Sequence, residues 1–183
     1  MPKLNYGCGE SNLEGYINVD IIENELVKPD KVADIKKGPL PFDDGYFEEI
    51  LFLHCIEHIE IPYWPYIFGE FQRLLQRGGR LVISWPEFEV CAKYFIENHK
   101  GHRDFWRHTL YGRQLYPGDY HLVPMRTDEV VLMLSRFGFY DIKYQPEEGE
   151  EWNTFLIAHN GEKRLSVKEL YKQELAKIGI PNS

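Results

Sequence analysis

The stretch LHCIEH, Leu53 to His58, holds the residue types of a metal centre: His54, Glu57 and His58 in H-x-x-E-H spacing. On a helix this spacing puts two histidines one turn apart, where they can grip zinc while the glutamate acts as a base. At the end of a strand the same residues point in different directions, and the match means something else. FEEILFL (Phe47 to Leu53) runs directly into His54, and Pro62 and Pro65 follow. Its continuous apolar half fits a strand buried on both faces of a parallel sheet. The strand reading prevails, so no metal is expected. His54 is placed at a strand end facing a site, and Glu57 and His58 are expected to orient the loop. Cys8, Cys55 and Cys91 form no C-x-x-C pair, which argues against a thiolate zinc site and a disulfide framework.

Other strand ends also carry chemistry. KLNY (Lys3 to Tyr6) ends at Gly7-Cys8-Gly9, where glycines let a ligand approach the backbone closely. YINVD ends in Asp20, whose carboxylate can accept both hydroxyls of a ribose. KVADI ends in Asp34-Ile35, an acceptor for an exocyclic amine beside an apolar face for a purine ring. A dinucleotide fingerprint would need a third glycine where Asn12 stands and an acid later than Asp20, which disfavours an NAD-dependent oxidoreductase.

These ends are set by alternating strands and helices. A helix is expected over Tyr63 to Gln76, where Ile67, Phe71, Leu74 and Leu75 recur at helical spacing, with Gly78-Gly79 as its stop. RLVISW (Arg80 to Trp85) reads as a strand, Phe88 to Asn98 as a helix, and Thr127 as the N-cap of a helix running to Phe137. FYDIKY and TFLIAH read as late strands joined by the acidic loop PEEGEE. Ser166 and Glu169 form a capping box opening a last helix to Ile178. The sum is an α/β, Rossmann-like open sheet, mostly parallel, with a C-terminal antiparallel β-hairpin. Only Gly7 to Gly15 link the first two strands, fewer than a parallel crossover usually needs, so the first helix is expected to be a stub.

LNYGCG, INVD, ADI followed by LPFDDGYFEEI, LHCIEHI, EFQRLLQRGGRLVISWPEF and the late TDEVVLMLSRFGFYDIKY resemble, in order, the motifs of class I S-adenosylmethionine-dependent methyltransferases. The likeness spans roughly Lys3 to His159 and is nearest to compact small-molecule members of sugar and envelope-polysaccharide pathways. It implies S-adenosyl-L-methionine as cofactor. By the same resemblance Asn5, Tyr6, Gly7, Cys8 and Gly9 would lie along its methionine part and Asp20 on its ribose. Ile21 would sit beside the adenine, Asp34 and Ile35 at its edge and face, and Leu53 and His54 near the sulfonium. Asn5 stands where the family usually has an acid.

At 183 residues the chain fits one domain, residues 1–160, with residues 161–183 as a helical extension. Residues 100–126 read as a substrate-side insertion. Lys100, Arg103, Arg107, Arg113 and Arg126 face two acids there, a local net charge of +3 in a chain of net −8. Trp106, Tyr111, Tyr116 and Tyr120 are interleaved. Tyr111, Arg113, His121 and Arg126 are the expected contacts to an anionic or sugar-linked acceptor. His54 and His121 are candidate bases for an acceptor hydroxyl. The overall charge disfavours nucleic acid as a partner, and no apolar run reaches the roughly 20 residues of a membrane span. No leader is expected, because MPKLNYGCG enters a strand at once, and the free cysteines suit a cytoplasmic protein. The expected function is methyl transfer to oxygen, or less readily nitrogen, of a small acceptor. The alternative is a catalytically inactive binding subunit of the same fold. Leu165, Leu170, Leu175 and Ile178 are expected to cover a sheet face or a second subunit.

Overall fold

A computed structural model describes residues 1–115 and 118–161. The strands are β1 (Lys3–Tyr6), β2 (Ile17–Asp20), β3 (Lys31–Val32), β4 (Phe47–Leu53), β5 (Leu75–Pro86), β6 (Phe139–Glu147) and β7 (Glu150–Asn160). The helices are α1 (Trp64–Leu74), α2 (Phe88–Ile96), α3 (Arg103–Tyr111) and α4 (Thr127–Arg136). One seven-stranded sheet runs β3-β2-β1-β4-β5-β7-β6, parallel except for β7, which pairs antiparallel with β5 and β6.

Strand periodicity sorts the side chains onto two faces. Leu4, Tyr6, Val19, Ile50, Phe52, Leu81, Ile83 and Leu156 point to one face, where they form the core with Phe68 and Phe71 of α1 and Val130 and Leu134 of α4. Phe52 meets Tyr6 and Phe71 ring to ring, at centroid distances of 5.9 and 5.1 Å. Phe68 of α1 lies 6.2 Å from Phe137 at the end of α4, so the two helices share this face.

The opposite face is different. Leu51 and Leu53 are only half-buried, because 7–16 and 21–30, the connections that would place helices over them, consist of turns. The expected stub of a first helix is thus reduced to turns. Polar pairing takes over instead: the buried Glu49 carboxylate accepts from Tyr16 Oη and Arg80 and lies 3.8 Å from Lys3 Nζ.

Several boundaries differ from the sequence reading. α1 ends at Leu74 and β5 starts at Leu75, so Gly78-Gly79 sit within a strand rather than stopping a helix. β3 keeps only Lys31–Val32, and Asp34 caps a 3₁₀ turn, Ile35–Lys37. Thr127 is the first residue of α4 and not its cap; its hydroxyl donates to Glu87 Oε2 at 2.7 Å. α3 was not expected, because Trp106 and Thr109 are its buried residues and two such positions show no period. The capping box at Ser166, the helix expected after it, Tyr116 and Pro117 lie outside the described residues.

The one-sided core makes a differential expectation. Phe52→Ala should cost about 3–5 kcal/mol in urea unfolding, the range for emptying a buried aromatic site. Leu51→Ala, next in sequence on the other face, should cost clearly less. Equal losses would show that both faces are packed alike.

Candidate active-site crevice

Strand order reverses between β1 and β4, and in open α/β sheets ligands bind outside the carboxyl ends of the strands at that point. The two chain segments leaving β1 and β4 therefore frame the site. They touch directly: a Cβ on Gly7 would overlap the Cys55 sulfur, and Gly7 has a φ of +73°, which favours glycine. Gly7 N donates to Val19 O at 2.8 Å, tying the turn to β2.

Asp20, at the end of β2, is held by three backbone donors. Gly9 N reaches Oδ2 at 2.8 Å, while Ile21 N and Ile22 N reach Oδ1 at 2.7 and 3.2 Å. Oδ1 is filled by its two donors and Oδ2 keeps acceptor capacity, so the carboxylate is a fixed acceptor beside the glycine turn. Ile21 is 48% exposed and, with Ile22, offers an apolar shelf next to it. Burial, then the nearby Asp20 charge, pushes the Cys8 thiol up to about 11, and burial and Glu57 hold the Cys55 thiol well above its ordinary value. Neither is a nucleophile at neutral pH.

Four residues expected at this ligand surface are engaged elsewhere. Asn5 donates to Ser11 O at 2.9 Å and Asn18 Oδ1 at 3.0 Å, so its amide builds the loop. Tyr6 is buried, and its hydroxyl accepts from Ile35 N at 3.0 Å. Ile35 is 5% exposed and belongs to the core, so it presents no open face to a ring. Asp34 caps its own turn through Lys36 N at 3.0 Å.

Beyond β4 the crevice continues. His54 sits in the left-handed region (φ +50°), a strained conformation for a residue with a Cβ. Its backbone N donates to Ser84 O at 3.0 Å, keeping it in step with β5. The side chain is 46% exposed; Nε2 lies 3.1 Å from Asn153 Nδ2 and Nδ1 lies 3.6 Å from Glu57 Oε1. Desolvation lowers its affinity for a proton, but Glu57 and Glu147 together outweigh that and raise it. His121 shifts the other way: burial, with His58 beside it, lowers it against the pull of Glu57.

A cavity of about 420 Å³ opens here, with His54, Glu57, His58, Arg113, His121 and Trp152 in its wall. Its far side is α3, which packs on the start of β7 through Phe105 and Trp106 against Trp152. Both candidate histidines and Arg113 thus meet in one place. Tyr111 lines a neighbouring hollow of about 240 Å³ that shares Arg113. Arg126 does not join them. It bonds Glu89 at 2.6 Å and Asp128 at 3.1 Å on the surface, away from the cavity wall. Sequence reasoning passed over Trp152 and Phe105, which no local pattern marks, and it gave Glu57 no place in the site although H-x-x-E-H contains it.

Residues 4–83 match the family model described as a methyltransferase domain. Solved structures share the fold. A SAM-dependent methyltransferase from Archaeoglobus fulgidus superposes with a TM-score of 0.61 at 17% identity, over 86% of this chain and 85% of that one. A SAM-dependent methyltransferase from Methanosarcina mazei gives 0.59 at 16%, over 88% and 93%. A possible histamine N-methyltransferase from Thermotoga maritima gives 0.62 at 15%, over 87% and 82%. No curated protein matches the chain. The fold is the Rossmann-like methyltransferase fold, and S-adenosylmethionine is the cofactor that the domain match implies. The glycine turn and the Asp20 carboxylate fit its methionyl and ribosyl parts.

The Gly7 contact gives a direct test. Gly7→Ala combines a steric overlap with left-handed backbone, and should lose more stability in urea unfolding than the ~1–2 kcal/mol of the backbone term alone. Gly9→Ala, with φ +53° and open space around it, should lose the backbone term only. If the two variants unfold together, the Gly7–Cys55 packing is not what fixes the turn.

Proposed function

We propose that the chain is an S-adenosylmethionine-dependent methyltransferase that methylates an oxygen, with nitrogen the second choice, of a small acceptor held in the His54–Arg113–Trp152 cavity. The observation that carries this reading is continuity. β1 and β4 are paired neighbours; β1 ends in the glycine turn that packs on Cys55, and β4 ends at His54, which lines the 420 Å³ cavity.

In this reading Gly7, Cys8 and Gly9 run along the methionine part of the cofactor and Asp20 holds the ribose hydroxyls. Ile21 and Ile22 flank the adenine, with Asp34 near its edge, and Leu53 and His54 stand near the sulfonium. When bound, the cofactor supplies an activated methyl group, which leaves with carbon–sulfur cleavage as the acceptor's lone pair forms the new bond. The chain's task is alignment: holding the acceptor in line and excluding water, effects that can supply several kcal/mol of barrier reduction. Residues 100–126 form the acceptor side. Arg107 and Arg126 pair with carboxylates outside the cavity wall, and Arg113 is the arginine in that wall, so a preference for an anionic or sugar-linked acceptor rests on it. Its partner Asp119 is 3.4 Å away, a loose pair that an acceptor anion can compete for. For a hydroxyl acceptor, the proton displaced by the new bond passes to one of the two candidate bases in the cavity wall, His54 or His121.

Isothermal titration with S-adenosylhomocysteine is the first test; no binding at millimolar concentration ends this reading. Asp20→Ala should weaken binding at least tenfold, or about 1.4 kcal/mol, in a folded protein. With binding established, a methyl-transfer screen over hydroxyl and amine acceptors should find turnover, and Arg113→Ala should raise KM more for anionic acceptors than for neutral ones. Binding without any turnover would favour the inactive binding subunit.

A further inference from the structure

We infer that Glu57, His58 and His121 form a site for a divalent transition-metal ion in the wall of the acceptor cavity. Each offers one donor atom, and the three atoms lie within 4.8 Å of one another. A carboxylate with two imidazoles is a set that suits zinc, cobalt, manganese or iron and gives calcium little reason to bind.

The second observation is independent of that spacing. Glu57 is 1% exposed, and neither of its carboxylate oxygens has a hydrogen-bond partner. A buried carboxylate without a hydrogen bond is costly by several kcal/mol, and a bound cation is one way to offset that cost. His54 Nδ1, at 3.6 Å, is beyond hydrogen-bond range.

His58 is prepared as metal-ligating imidazoles are. His58 Nδ1 lies 2.9 Å from Tyr120 O; a carbonyl only accepts, so that nitrogen carries the proton and Nε2 is left as the donor. A second ring nitrogen bonded to a carbonyl fixes the tautomer and orientation of a ligating histidine. The two loops are also joined: Glu57 O accepts from Leu122 N at 2.7 Å and Val123 N at 3.3 Å. His58 and His121 meet edge to face, with centroids 4.8 Å apart.

This reverses the expectation that H-x-x-E-H binds no metal, and the strand still explains why. Placing His54 at a strand end removes it from the set, but the 3₁₀ turn Ile56–His58 turns Glu57 and His58 towards His121. Glutamate becomes a ligand rather than a base. The ion would keep open positions towards the cavity, where an acceptor oxygen could bind; that clause alone rests on the methyltransferase reading.

The test uses full-length protein stripped with EDTA and titrated with Zn²⁺ and Co²⁺. One ion per chain should bind, and Co²⁺ should develop the visible bands of a nitrogen- and oxygen-ligated site. Glu57→Gln, His58→Ala and His121→Ala should each weaken binding at least tenfold while circular dichroism stays native. His108→Ala, on the same cavity wall, should leave it unchanged. No uptake of either ion, or uptake indifferent to all three ligand substitutions, overturns the site. Failure to bind S-adenosylhomocysteine would count against the methyltransferase reading instead, so the two failures are told apart.

Discussion

Gly7 has no side chain, and Cys55 occupies the space that one would fill. That contact sets how closely the exits of β1 and β4 approach, and the site is built on it. The strands are already neighbours through parallel pairing, Lys3 with Glu49 and Asn5 with Leu51. Where pairing stops, a sulfur packed on a glycine continues it for one more step. The glycine turn then faces Asp20 on one side, and the chain beyond Cys55 bends into the 3₁₀ turn that presents Glu57 and His58 on the other. The glycine turn and the loop that lines the 420 Å³ cavity thus share one point of close packing.

The molecule also lacks helices in the connections on either side of β2, and it compensates with amides. Asn18 Oδ1 accepts from Asn5 Nδ2 and Leu13 N, while Asn18 N and Nδ2 both donate to Asp30 Oδ2. Side-chain amides here do the work that a helix's backbone ladder does elsewhere: they satisfy buried polar groups and fix the path of the turns. Asn5, an unusual residue by comparison with the family resemblance, is intelligible as part of this network.

Much of the sheet was legible because strands announce themselves by runs of apolar residues at fixed period. β1, β2 and β4 lie where KLNY, INVD and FEEILFL put them, and the glycine turn and Asp20 follow from their ends. Legibility failed where structure depends on distant partners. α3 buries Trp106 and Thr109 against α2 and β7, and no local pattern records such partners. Ile35 looked like a ring-stacking surface, but the Tyr6 hydroxyl draws its backbone inward. Arg126 looked available to an acceptor until Glu89, from another helix, proved to be beside it. The meeting of Glu57 and His58 with His121 was the least visible feature, since it joins two segments distant in sequence through the backbone carbonyls of Glu57 and Tyr120.

The half-buried Cys55, its sulfur packed on Gly7, gives the crevice a built-in reporter. Alkylating and oxidising reagents act on thiolates, and burial keeps this sulfur protonated and shielded from them, as it does Cys8 and Cys91. The folded chain is therefore chemically quiet although it carries three free cysteines. Modification of Cys55 adds bulk at a sulfur that already fills the space beside Gly7, so it requires the glycine turn and the end of β4 to separate. Pulse labelling followed by mass spectrometry can thus time the breathing of the crevice without an added probe.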